Sequence, residues 1–273
     1  MPDPEPSSPW SDLERPPLSA ARLRRGLVAD GPWRDLEVVG RTASTNADVV
    51  ARARAGEPPG LVVIAEEQTA GRGRLDRTWQ APARSSLLVS VLLRPEPAPA
   101  TWTLLPFVAG VAVAEAVRGV AALNAELKWP NDVLVEGRKL GGILVERVDT
   151  AVVVGIGVNV SLRAGELPVP TATSVALAGG VADREVLAKE VLRAFARRYD
   201  SWQAAGGASS SILPAYREIC ATIGWNVTVQ LPGGESVKGL VSAVDDTGRL
   251  VVMSDDGTTS VSAGDVVHVR RAD

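Results

Sequence analysis

Beyond Gly224 the sequence changes texture, and this change constrains the fold more than any other feature. Short alternating runs at 226–231, 237–244, 250–253, 258–262 and 266–269 are separated by Gly233-Gly234, Asp245-Asp246-Thr247-Gly248 and Asp255-Asp256-Gly257. Period-two alternation gives each run one face to bury, and glycine at the reversals permits the tight turns between them. The expectation is a small all-β barrel of about 50 residues, beginning after a boundary near Thr222. The paired aspartates read as turn chemistry rather than metal ligands.

Upstream the pattern mixes helices and strands. Residues 18–28 read as a short arginine-rich helix and 36–39 as a strand. A second helix opens at Ser44 or Thr45 as cap, carries an apolar stripe of Val49, Val50 and Ala53, and stops at Gly56 and Pro58-Pro59. Continuous apolar runs at 61–65 and 86–93 have strand length and are expected inside one sheet. A helix over about 103–120 covers that sheet, followed by strands at 126–128, 133–135, 142–146 and 152–160 and helices at 184–203 and 212–221. Gly155 and Gly157 interrupt a β-branched strand, where the close approach of another backbone or a ligand is expected. The domain plan is therefore a tail, 1–17, an α/β (α+β) domain, 18–222, and the barrel, 223–273.

A net charge of −3 argues against a general nucleic-acid or membrane-surface binder, because both partners demand an excess of cations. One cysteine, Cys220, and one histidine, His268, supply neither a disulfide nor a tetrahedral zinc site, and a reducing cytoplasm fits. A Ser-His-Asp or Cys-His pair would need His268, which is expected on the barrel surface, so a hydrolase triad is not expected. The acidic, proline-rich opening is predicted to be disordered and has neither basic nor apolar region of a signal peptide. Residues 104–117, interrupted by Pro106 and Glu115, fall short of the ~20 residues that span a bilayer and read as a buried helix.

Four lysines stand against twenty-five arginines, and two of the four, Lys128 and Lys139, flank one stretch, Lys128-Trp129-Pro130-Asn131-Asp132 through Arg138-Lys139-Leu140-Gly141-Gly142. A lysine kept among arginines suggests a need for a compact, hydrated point charge. Asn131 and Asp132 could simply close a turn, but turn-making does not require a carboxylate, an amide and two ammonium groups beside a glycine pair. The loop from Gln68 to Trp79 carries Gly71-Arg72-Gly73-Arg74 and Arg77 and suits an anion: glycine admits close approach, guanidinium offers a fork of donors, and Trp79 offers a face for a base. A solvated arginine loop with Trp79 in the core is the alternative. The chain has no dinucleotide fingerprint and no Gly-x-x-x-x-Gly-Lys-Ser/Thr motif.

At these motifs the chain resembles the biotin protein ligase family. Ser44-Thr45-Asn46, residues 68–79, Lys128 to Asp132, Arg138 to Leu144 and Gly155-Ile156-Gly157-Val158-Asn159 occur in the family's order, and the barrel ending Gly264-Asp265-Val266-Val267 fits as well. The resemblance implies a mixed-sheet catalytic domain of the class II synthetase and biotin-lipoate ligase type with an SH3-like β-barrel. It implies that biotin and MgATP give biotinyl-5'-AMP, and that a lysine of a biotin carboxyl carrier domain of an acyl-CoA carboxylase then takes the biotinyl group.

By the same resemblance Lys139, Arg72 and Asp132 are the catalytic residues. Ser44, Thr45, Asn46, Gln68, Arg72, Gly73, Arg74, Lys139, Gly141, Gly142 and Gly157 would bind biotin, with Lys139 and Arg72 holding its carboxylate and the reacting phosphate. Arg74, Trp79, Asn131, Lys139 and Asn159 would bind ATP, with Trp79 packing on adenine and Mg²⁺ on the phosphates. Residues 71–77 would order over the adenylate. The family's loop has a further glycine where this chain has Asp76, after Leu75, a change expected to place a negative charge beside Arg74 and Arg77. A cytoplasmic monomer or weak homodimer is expected. The roughly 35 residues before the first strand are too few for the DNA-binding domain of some relatives, so no nucleic-acid or membrane partner is expected. A lipoate-type ligase and a non-catalytic binding module are the competing readings.

Overall fold

The two continuous apolar runs lie side by side as interior strands of a seven-stranded sheet. The computed structural model describes residues 15–75, 77–231, 234–255, 257–262 and 264–268. Helix α1 (Ala20–Arg24) continues into a π-helical turn, Arg25–Ala29, before β1 (Asp35–Val39), α2 (Thr45–Arg54) and β2 (Leu61–Ala65). A two-rung hairpin of β3 (Gly71–Arg72) and β4 (Thr78–Trp79) precedes β5 (Ser86–Leu93) and α3 (Leu105–Ala121). Then come β6 (Ala125–Lys128), β7 (Asp132–Val135), β8 (Arg138–Val148), β9 (Ala151–Asn159), α4 (Arg184–Ala204) and α5 (Leu213–Glu218). The sheet order is β1-β2-β5-β9-β8-β7-β6, with β1 and β2 parallel and all other neighbours antiparallel.

Alternation along these strands sorts the sheet into two faces. Val62, Ile64, Leu87, Val89, Val91, Val154, Ile156 and Val158 join α3 and α4 in the main core. Leu61, Val63, Leu92 and Val153 on the other face pack under Val49 and Ala53 of α2. Helix α2 starts where expected: Ser44 is extended at φ −162°, and its hydroxyl accepts from the Ala47 N–H. Along that second face, three rows follow the register. Leu92, Val153 and Glu146 form the first, Ser90, Gly155 and Leu144 the second, and Leu88, Gly157 and Gly142 the third. The first row is largely covered by α2. The other two become the floor of a cavity.

Strands β10 (Asn226–Gln230), β11 (Ser236–Val244), β12 (Leu250–Ser254), β13 (Gly257–Val261) and β14 (Asp265–His268) form an antiparallel sheet in the order β13-β12-β11-β10-β14. The turn glycines Gly234, Gly248 and Gly257 have φ of 89°, 81° and 121°, a region that side chains rarely tolerate. This unit is seated on the larger one by Trp129, which is fully buried and donates its indole N–H to Gly248 O at 3.0 Å. Arg217 Nε adds a bond to Val244 O at 2.7 Å. The side chain of His268 lies outside the described residues.

Two expectations need correction. Residues 15–17, assigned to the disordered tail, are tied down: Arg15 is buried, with its guanidinium on Glu166 and Ser161 O. The rest of that tail lies outside the described residues. The apolar helix is also longer than expected, because a 3-10 segment, Pro99–Leu104, runs directly into α3. The resulting 23 residues are long and apolar enough to cross a membrane, but 72% of that apolar window is buried within the protein against the sheet and α4.

Candidate active site

A cavity of about 530 Å³ opens over the glycine rows, between α2, the β3–β4 hairpin, the turn from Lys128 to Asp132 and the segment 168–172. Its two ends differ chemically. At the α2 end, amides and hydroxyls interlock. Thr45 donates from its backbone N–H and its hydroxyl to Gln68 Oε1 at 2.8 and 3.0 Å. The Ser90 hydroxyl lies 2.6 Å from Asn46 Oδ1 and 2.7 Å from Thr45 Oγ1, and Asn46 Nδ2 donates to Glu146 Oε2 at 2.7 Å. Asn46 is therefore hydrogen-bonded on both sides of its amide within the protein while lining the cavity.

At the other end stand the cations. Lys139 Nζ donates to Asp132 Oδ1 at 2.6 Å, with the ammonium partly open to the cavity. Arg74 Nη1 donates to Asn131 Oδ1 at 3.1 Å, and Asn131 Nδ2 is fixed on Ile143 O at 2.8 Å. A Cβ built on Gly142 would lie 3.5–3.6 Å from Trp79, Asp132 and the Lys139 side chain together, so this glycine keeps their meeting point open. Asn159 lines the cavity, buried, with its Nδ2 on Thr173 O at 3.0 Å.

The glycines of β9 make room for side chains of this chain rather than for a backbone or a ligand alone. A Cβ at Gly155 would overlap the Asn46 amide, and one at Gly157 would sit 2.8–2.9 Å from the Trp79 ring. Trp79 thus rests on the sheet floor at the base of the hairpin, and its buried Nε1 has no hydrogen-bond partner among the described residues. An indole N–H left so is costly unless something else accepts it.

Two site expectations are corrected by the geometry. The Arg72 guanidinium does not share the lysine end: it donates to Glu146 Oε1 at 2.6 Å. Glu146 lies seven residues from Lys139 on β8, roughly 20 Å of extended strand. Arg74 is the arginine that reaches the Lys128–Asp132 turn. Gly141 does not line the cavity; a Cβ added there would lie 2.7 Å from Gly157 O in the neighbouring strand. The positive φ in the arginine loop falls on Leu75, at 55°, while Asp76 lies outside the described residues.

Sequence reading missed Glu146 and Ser90. Both were legible: each is a polar residue on the site-facing row of an otherwise apolar strand. The segment 168–172 and Gly264 also line the cavity, and no local pattern marks them. Cys220 is buried and desolvation pushes its thiol pKa up, opposite to what a nucleophile requires.

Residues 39–162 match the biotin/lipoate A/B protein ligase family, and residues 222–269 match the biotin protein ligase C-terminal domain. The biotin–[acetyl-CoA-carboxylase] ligase of Mycobacterium tuberculosis is 44% identical, over 95% of this chain and 98% of that one. The bifunctional ligase/repressor BirA of Bacillus subtilis is 30% identical, over 91% of this chain and 78% of its own length. Among solved structures, a biotin protein ligase from Aquifex aeolicus in complex with biotin and ATP superposes with a TM-score of 0.75 at 26% identity, covering 87% of this chain and 100% of that chain.

Proposed function

The chain belongs to the biotin protein ligase family, and from that premise we propose that it joins biotin to ATP as biotinyl-5'-AMP and then passes the biotinyl group to a lysine of a carboxylase carrier domain in the cytoplasm. The observation that carries this reading is the pairing of Lys139 with Asp132 beside the open Gly142, at the far end of the cavity from the amide and hydroxyl cluster. A cyclic urea suits interlocked amides and hydroxyls, and an acid that must meet a polyphosphate needs a cation at the opposite end.

In the first step a biotin carboxylate oxygen bonds to the α-phosphorus and pyrophosphate leaves. Two unit charges of like sign ~4 Å apart repel by about 4 kcal/mol at an effective dielectric near 20, and Lys139 and Arg74 are placed to offset that repulsion. Mg²⁺ comes with the phosphates. Among the described residues no three acidic, histidine or cysteine groups cluster to hold it, and the amide oxygens of Asn131 and Asn159 are the protein groups suited to touch it. The partnerless Trp79 N–H is a donor ready for the nucleotide.

In the second step the acceptor amine bonds to the acyl carbon and AMP leaves. Asp132, held by Lys139 at 2.6 Å, orients the incoming amine, whose protons pass to solvent as the amide forms and the acyl–phosphate bond breaks. Residues 71–77 close over the adenylate, with Arg74 on the phosphate, and shelter the mixed anhydride from water.

Pyrophosphate release with MgATP and biotin, followed by label on the lysine of an added carrier domain, tests the proposal. Release with lipoate alone assigns the other branch of the family, and none with either acid leaves a binding module. Arg74→Ala is expected to raise labelling of unrelated lysines about tenfold as adenylate escapes, because a charge-assisted bond to phosphate is lost. Unchanged labelling would count against loop closure.

A further inference from the structure

Four charged groups are committed to a five-residue segment that sequence composition would leave loose. Arg15 donates to Glu166 Oε1 at 3.1 Å and to Ser161 O at 2.8 Å, and also pairs with Glu166 Oε2. Three residues on, Leu18 N–H donates to Glu66 Oε1 at 2.6 Å, while Glu66 Oε2 pairs with Arg184 at 2.7 Å. Arg184 returns to the segment through Pro16 O at 2.8 Å. Arg15, Glu66 and Arg184 are 6–7% exposed. Buried ion pairs contribute little net stability, because desolvation offsets most of their attraction, so their effect here is better sought in position than in stability.

What they position can be followed bond by bond. Glu66 follows β2 and lies two residues before Gln68, and Ser161 follows Asn159 by two. Glu166 closes the 3-10 turn Ala164–Glu166, and that turn leads into residues 168–173. These hold the Lys139 backbone on both sides: Lys139 N–H donates to Thr171 O at 2.8 Å, and Thr173 N–H donates to Lys139 O at 2.8 Å. Thr173 O also holds the Asn159 amide at 3.0 Å. A shift at Arg15 therefore has paths through Ser161 and Glu166 to Asn159 and Lys139, whereas the amide cluster is approached by a separate bond, from Leu18 to Glu66, that does not involve the Arg15 side chain.

We propose that residues 15–19 form a strap whose Arg15–Glu166 clamp positions Lys139 and Asn159 for the nucleotide, with Arg15 as a positioning residue. This rests on the reading of the cavity as a biotin and ATP site. The guanidinium of Arg15 holds the Glu166 carboxyl below its ordinary pKa, so the clamp is charged at neutral pH.

Calorimetric titration of the full chain with MgATP and, separately, with biotin tests the strap. Arg15→Met and Glu166→Gln are each expected to weaken MgATP binding about tenfold, as sub-ångström displacement of positioning groups does. Biotin affinity should fall less than MgATP affinity, since of the displaced groups only Lys139 also faces the biotin carboxylate; Arg15→Lys should recover part of the loss, and the double variant should be no worse than Arg15→Met, which already removes the Arg15–Glu166 contact. MgATP affinity unchanged in both single variants overturns the strap, as does equal loss of both ligands accompanied by a large fall in Tm. Wild-type protein that binds neither ligand instead sinks the reading of the site on which the strap rests.

Discussion

Lys139→Met is expected to lower biotin-dependent pyrophosphate release about 10²–10³-fold with little change in Tm. The rate loss is the size found when a preorganised charge-stabilising donor is removed, roughly 3–4 kcal/mol of transition-state stabilisation. The small stability change follows from the partner: the Lys139 side chain is 35% exposed, and an ion pair so open to water is worth at most about 1 kcal/mol. Lys139→Arg should not restore the rate. The ammonium bonds Asp132 at 2.6 Å beside Gly142, and a planar fork cannot take its place without displacing Trp79 or Asp132. Adenylate synthesis at the wild-type rate in Lys139→Met would remove the basis of the proposed chemistry.

Gly155→Ala is expected to destabilise the protein strongly and to disrupt the amide cluster of the site. The added Cβ would overlap Asn46 Oδ1 and lie 2.9 Å from its Cγ. Asn46 is 4% exposed and is bonded to Ser90 and Glu146, so it has no solvent to move into. Overpacking plus broken buried hydrogen bonds costs about 3 kcal/mol. In a chain of this size that corresponds to a Tm fall of roughly 6–12 °C. Biotin binding should weaken about 100-fold with it, since the amide cluster cannot keep its arrangement. Gly142→Ala is the control: its Cβ meets only contacts of 3.5–3.6 Å, so it should melt with wild type even if it impairs catalysis. Asn46→Ala combined with Gly155→Ala should recover much of the lost Tm but not the affinity for biotin. Gly155→Ala with wild-type melting and wild-type biotin affinity would refute the packing argument.

Residues 86–93 and 152–160 show how far pattern alone reaches. Apolar character marked 86–93 as an interior strand and β-branching marked 152–160 as a strand interrupted by glycines, and the two became the neighbours β5 and β9. Gly155 and Gly157 were marked as places of close approach, but what approaches is Asn46 and Trp79, which no local pattern names. Ser44 as a helix cap and the glycine reversals after Gly224 were also legible, because caps and turns depend on a few adjacent residues. The helix expected over 103–120 is found at Leu105–Ala121 and is buried, and what the pattern did not show is the 3-10 segment from Pro99 that joins its N-terminal end.

The linear order of residues determined most of the groups that line the cavity, since alternation assigns each strand residue to a face and the lysine-bearing turn announces itself by its neighbours. Only the tertiary structure decided which charges meet. Arg72 and Arg74 are two residues apart and chemically identical, yet one bonds Glu146 and the other Asn131. Arg15 lies beside prolines and still becomes buried, because Glu166 is far along the chain and close in space. Turns and periodicity are set by bonds between near neighbours in the chain, whereas an ion pair depends on distance through space, which exists only once the sheet has brought its strand ends together.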